Sequence, residues 1–202
     1  MKKIFSYNKD INQNAYLNWR METNSDSSNF YTMANSFANS TVLLLDSVLN
    51  DNSDKKADSI IFPIFYLADQ SIELYLKAII REIITTNSAE DKCPVTHDIK
   101  KLYLEAKDLV IKYYNNDVQG LNGLLSDLES YINELYKYIF KSDGKKGKVQ
   151  MDFARYPLDT ENNEYFYVKS FDNIVVDIEN FKIRFKKITD SLESVYIYYE
   201  RI

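Results

Sequence analysis

Cysteine, histidine, glycine and proline are all scarce in this chain of 202 residues, at one, one, four and three. A single cysteine, Cys93, excludes an internal disulfide and a cysteine-built zinc site. So few glycines and prolines argue against a loop-rich or all-β protein. The lone histidine, His97, leaves no Ser-His-Asp or Cys-His arrangement in a recognisable setting. No glycine-rich loop is present to cradle phosphate, and the carboxylates fall in no calcium-loop or paired-metal spacing, so neither cofactor nor metal is expected. Long apolar runs are missing too. The longest uncharged one, Ile60 to Ala68, is far short of the roughly 20 residues a membrane span needs. The first ten residues carry Lys2 and Lys3 with no continuous apolar core behind them, unlike a signal peptide. A soluble, cytoplasmic chain with no membrane partner is the expectation. With 30 acidic against 25 basic residues the net charge is −5. No global field draws the chain to nucleic acid, and any RNA contact must rest on a local basic patch.

What the chain does have is ring-bearing side chains and helical rhythm. Its length suits one domain with a sizeable core. Seventeen tyrosines and eleven phenylalanines suit amphipathic helix faces and interfaces, where an apolar ring carries a wet hydroxyl. Residues 1–25 read as a loosely packed arm anchored by Tyr16, Leu17 and Trp19, ahead of a helical domain over 26–202. Asp26-Ser27-Ser28 can cap a helix running to about Asn50 that places Phe30, Met33, Phe37, Leu44 and Val48 on one face. After the polar break 51–56 comes a central helix, kinked or begun at Pro63. Thr96 then caps a helix with Ile99, Leu102, Ala106, Leu109 and Tyr113 at three- and four-residue spacing, ended by 115–120. Leu121, Leu125, Leu128, Ile132, Leu135 and Ile139 keep a four-three rhythm, and Ile174, Ile178, Phe181, Phe185, Ile188, Leu192, Val195 and Tyr199 repeat it. Such spacing holds an apolar seam against one neighbour. The expected fold is mostly α, an up-and-down bundle of about five helices.

One segment breaks the period. Val149, Met151 and Phe153 alternate with polar or small residues, a polar turn follows, and Tyr165-Phe166-Tyr167-Val168 comes next. Two short aromatic runs around a turn predict a β-hairpin inserted near 149–168 and lying on the bundle or on a partner.

The central helix is apolar around most of its circumference, yet Asp69, Glu73, Lys77 and Arg81 recur every four residues. That spacing predicts one polar stripe. It ties the helix to its neighbours or lines a groove that holds a phosphate or a partner. Both readings stand at this point.

Three motifs together resemble the HEPN family of small helical bundles. Ala68-Asp69-Gln70-Ser71-Ile72-Glu73-Leu74-Tyr75-Leu76-Lys77-Ala78 is similar to the family's central helix with its glutamate and following Lys-Ala. His97-Asp98-Ile99-Lys100-Lys101-Leu102 is similar to the His-Asp start of the next helix. Arg155-Tyr156-Pro157-Leu158-Asp159 resembles an Arg-Tyr-Pro turn of some of these proteins. The match covers mainly residues 60–170. The resemblance implies an RNA-targeting effector of a bacterial toxin–antitoxin or antiviral defence module, often a homodimer or paired with a partner protein, and in many cases a metal-independent endoribonuclease. The family's catalytic motif is an arginine followed four to six residues later by a histidine. This chain departs from it, since Arg81 is the nearest arginine before His97, at 97 − 81 = 16 positions.

The candidate catalytic residues are therefore Arg155, His97 and Tyr156. An imidazole at a helix start can serve as general acid or base, or can simply cap. An arginine on a rigid prolyl turn can grip a phosphate bidentately, or pair with Asp152 or Asp159. Lys145, Lys146, Lys148 and Arg155 form the candidate RNA-binding patch, supported by the row Asp69, Glu73, Lys77 and Arg81. Lys182, Arg184, Lys186 and Lys187 read as a solvated face or a second contact. Against the RNA-targeting reading stands a catalytically inactive dimerisation or partner-binding module, which the missing arginine–histidine spacing favours.

Overall fold

The computed structural model describes residues 2–114, 118–141, 151–159, 161–170 and 172–202. Among these residues the α-helices are α1 (Asp26–Asn50), α2 (Lys56–Thr86), α3 (Ile99–Tyr113), α4 (Val118–Leu124), α5 (Ser126–Lys141), α6 (Phe166–Lys169) and α7 (Ile178–Glu200). The helix α2 is the axis of the packing, with α1, α3 and α7 against it. Ile64, Ala68, Ile72, Leu76, Ile79, Ile80 and Ile83 are buried, as expected of a helix apolar nearly all round. Pro63 lies inside α2 rather than at its start. It sits on the exposed side, where water can take up the carbonyl left without a helical donor.

The helix α1 meets α2 through small residues, not through its large ones. Its buried positions are Ala34, Ala38, Thr41, Leu45 and Val48, while Met33 is exposed and Phe30, Phe37 and Leu44 are only partly covered. Of the expected face only Val48 is fully buried. Ala34 and Ala38 let the two backbones approach, and the Ser71 hydroxyl donates to the Ala34 carbonyl at 3.0 Å. On the other side, α7 buries Phe181, Phe185, Ile188, Leu192, Val195 and Tyr199, the predicted four-three seam from Phe181 onward; Ile178 is only partly covered, and Ile174 lies exposed ahead of the helix. Tyrosines join these layers by using both ends. Tyr31 stacks on Tyr196 at 4.4 Å and donates its hydroxyl to Glu193, while Tyr75, fully buried, donates to Asn35. A phenol in a core is tolerated when its hydroxyl finds an acceptor.

Three boundaries differ from expectation. The helix α3 is capped by Asp98, which accepts from the Lys101 N–H at 3.0 Å; Thr96 instead accepts from the Asp98 N–H. The helix α1 has Ser25 at its N-cap, with no side-chain cap bond. The 121–139 seam is buried but divided at Leu125 into α4 and α5.

The β-hairpin is not formed. Met151–Ala154 is a 3-10 turn, Phe166–Lys169 is a short helix, and one isolated bridge pairs Leu158 with Glu164. No strand occurs among the described residues; Val149 and Gln150 lie outside them. Pro157 offers no ladder donor between the runs. The loop closes instead through Asp159, whose carboxylate accepts from the Glu161 and Asn163 N–H groups, with Asn162 in the left-handed region at φ 62°. One phenol then does what a ladder would do: Tyr167 donates its hydroxyl to the Phe153 and Tyr156 carbonyls at 3.0 and 3.1 Å.

The arm, residues 2–25, is mostly exposed. It is held at its end by Asn29, which accepts from the Glu22 N–H and donates to the Glu22 carbonyl, both at 2.8 Å. Tyr16 and Trp19 touch each other at 6.1 Å and lean toward Met33 and Phe37 of α1.

Because α2 is enclosed by three helices, truncating Ile80, which is fully buried, should cost about 2–5 kcal/mol. The exposed Leu43→Ala on α1 should cost under about 0.5 kcal/mol. Urea unfolding of both variants checks the ordering.

Candidate functional site

A row at four-residue spacing is not a straight line on an α-helix. Each step overshoots a full turn by about 40°, so from Asp69 to Arg81 the direction swings by about 120°. The predicted stripe is accordingly split among three neighbours. Asp69 faces α5, where the Tyr131 hydroxyl donates to its Oδ1 at 2.7 Å. Arg81 faces α1, with Nη1 3.0 Å from Asp26 Oδ2 and its guanidinium 4.6 Å above the Phe30 ring. Only Glu73 and Lys77 pair within the row, with Lys77 Nζ donating to Glu73 Oε1 at 2.7 Å.

Glu73 is the centre of the site. Its side chain is 7% exposed, whereas that of His97 is 81% exposed. His97 Nδ1 lies 3.1 Å from both carboxylate oxygens. A buried carboxylate thus holds an open imidazole by one nitrogen, and a proton on Nδ1 suits that contact, leaving Nε2 as the outward nitrogen. The next residue fixes the ring's place in the fold. Asp98 caps α3 and accepts the hydroxyl of Tyr136 from α5, while Tyr136 in turn accepts from the Lys100 N–H.

Arg155 and Tyr156 sit two helical turns away on the same side of α2. The Arg155 guanidinium lies 5.4 Å from the Tyr66 ring and 5.2 Å from the Tyr156 ring. Its Nη1 is 3.0 Å from Asp152 Oδ1, and its side chain is 42% exposed. Tyr66 and Glu73 are seven residues apart, so they project within about 20° of each other and about 10 Å apart along the axis. The Arg155 and His97 stations therefore flank one face of α2. No hydrogen bond, ion pair or ring contact joins them among the described residues. Lys145, Lys146 and Lys148 lie outside the described residues. Of the α7 cations, Lys182 pairs with Asp46 and Arg184 with Glu134, while Lys186 and Lys187 are exposed.

Two contributors went unread in the sequence. Tyr66, the platform for Arg155, precedes Glu73 by a heptad, a spacing that could have marked it. Tyr131 gave no such signal, because its partner Asp69 is 62 residues away.

Asp69 is the other unusual group. Its Oδ2 is buried without a hydrogen-bond partner. Burial drives its pKa up to about 7 and the Glu73 charge adds to this, against the Tyr131 hydrogen bond. The folded chain therefore keeps the Asp69 proton to near neutrality, while the unfolded chain releases it near pH 4. Between those values the native state binds more protons, so this group makes stability fall as pH rises from about 4 to about 7 and adds no further change above. Its slope is at most about 1.4 kcal/mol per pH unit. Urea unfolding at pH 5 and pH 7.5 should show this loss in the wild type and a smaller one in Asp69→Asn.

Set against protein-family models, curated proteins and solved structures, the chain finds no match. What it does must be argued from its own face of α2.

Proposed function

We propose that this protein is a HEPN-like RNA-targeting effector of a bacterial defence or toxin–antitoxin module, whose RNA-contact surface is the Tyr66–Lys77 face of α2. One observation carries the reading: Arg155, with its guanidinium 5.4 and 5.2 Å from the Tyr66 and Tyr156 rings, and His97, open to solvent on a buried glutamate, lie along that face. A guanidinium offers bidentate donors to a phosphate. Tyr66 and Tyr156 offer ring faces on which an unstacked base can lie. Lys77, about three helical turns along the same face from Tyr66, is paired with Glu73. If the site also cleaves, His97 is the group to move a proton, because a carboxylate-held imidazole presents its second nitrogen outward. Tyr156, 52% exposed, is within the reach of the same strand.

The second reading, a catalytically inactive dimerisation or partner-binding module, is favoured by a specific observation. Arg155 and Glu73 both already have partners inside the chain, Asp152 and the Lys77–His97 pair. On that reading the polar row holds helix register and the exposed Ile4, Phe5, Tyr7 and Trp19 of the arm seek a partner.

Fluorescence anisotropy with a single-stranded RNA oligonucleotide at low salt separates the two. Binding should weaken by about ten-fold in Arg155→Ala and fall as salt rises. His97→Ala should retain RNA while losing any cleavage seen on a gel. Absence of binding at low salt would end the RNA reading. A strict monomer in light scattering with no co-purifying partner would count against the second.

A further inference from the structure

The aromatic segment that failed to make a hairpin builds something else. Between α2, α5, α7 and the 151–167 segment lies a half-open cleft of about 330 Å³, within the range that holds small organic ligands. Five elements supply its walls. Phe62 and Phe65 come from α2, Phe153 from the 3-10 turn, Phe166 and Tyr167 from α6, and Phe181 from α7. Tyr131 of α5 joins them. The rings touch one another, Phe65 with Phe181 at 4.9 Å and 27°, Phe62 with Tyr167 at 4.9 Å, and Phe153 with Phe166 at 5.7 Å. A continuous π-surface of this kind suits a flat ring, which gains offset-stacked and edge contacts beyond its buried area.

The polar groups at the cleft say what charge that ring carries. Tyr131 commits its hydroxyl to Asp69, and Tyr167 commits its own to two backbone carbonyls. Among the described lining residues Arg184 is the one cation, and its guanidinium is already bound to Glu134 and to Ser130. The rim also carries Asp177, which caps α7. Among the described residues an anion entering here would meet two carboxylates and no uncommitted cation, so it would lose its hydration with no compensating pair there.

We propose that this cleft is a binding site for an uncharged, flat aromatic small molecule of about the size of indole. It is separate from the candidate RNA face: none of Arg155, His97, Glu73 or Lys77 lines it. Its test therefore succeeds or fails independently of RNA binding.

Isothermal titration of the full chain with indole, and with indoleacetate as its anionic counterpart, tests this. Indole should bind saturably at one equivalent, and indoleacetate about ten-fold more weakly, since among the described lining residues no free cation awaits it. Phe166→Leu, which keeps an apolar side chain but removes a ring from the wall, should weaken indole by about ten-fold. Ile174→Trp, placed at the exposed rim, should plug the cleft and abolish binding while circular dichroism stays helical. Should Phe166→Leu lose its helical signal, the Ile174→Trp variant decides the matter. No saturable indole binding, binding unchanged in the folded variants, or indoleacetate binding as tightly as indole would each overturn the proposal.

Discussion

Glu73 is a buried carboxylate on the most enclosed helix of the chain, and its burial is tolerable because Lys77 and His97 meet it. A lone charge at such depth would cost several kcal/mol. Paired, it becomes the fixed point to which the rest is tied. It holds His97 at the start of α3, one residue before the Asp98 cap. That cap in turn receives Tyr136 from α5, so three helices are registered around one carboxylate. The same helix packs against α1, α3 and α7, with Asp69 bonded to α5 and Arg81 to α1, and its Tyr66–Lys77 face carries the Arg155 and His97 stations.

Asp69, one turn earlier, shows the opposite solution to the same problem. It has a single hydroxyl donor and no cation, so the structure lowers the cost of burial by favouring its protonated form. The two carboxylates differ by four positions in sequence and by the neighbour each meets. Glu73 has Lys77 and His97 beside it, whereas burial raises the Asp69 pKa toward neutrality. Tyr131 links Asp69 to the aromatic cleft, so the polar face and the ring-lined cavity share a wall in α5.

Much of the scaffold was legible. The four-three rhythm of α7 and the apolar positions of α3 and of 121–139 are where spacing places them, because a helix that buries one seam must repeat it. The face of α1 was not, because large residues dominate a reading by hydropathy. The real contact uses Ala34 and Ala38, chosen by how closely two backbones approach. The hairpin failed for a related reason. Alternation of aromatics describes a pleated strand equally well as rings drawn one by one to a bundle wall, and Pro157 with the Asp159 loop made the second cheaper. At the site, His97 and Arg155 were nameable in advance, as was the pairing of Arg155 with Asp152, but the Glu73 carboxylate under His97 and the Tyr66 ring beside Arg155 were not. Tyr66, Tyr131 and Tyr136 are ordinary tyrosines until the fold puts them under a cation or a carboxylate.

By itself, the sequence determined that this chain is mostly helical, that α2 lies inside, and that no helix among the described residues is long and apolar enough to cross a membrane. Those follow from composition and period, which are local properties. Only the tertiary structure decided which way each polar residue of α2 turns. A 100° step per residue spreads an i, i+4 row over a third of the circumference, so the choice between ion-pair ladder and open site rests with whichever helix packs at each bearing. The same holds for the cleft: its rings come from five elements spread across most of the chain, and no spacing in one dimension brings them to a common wall.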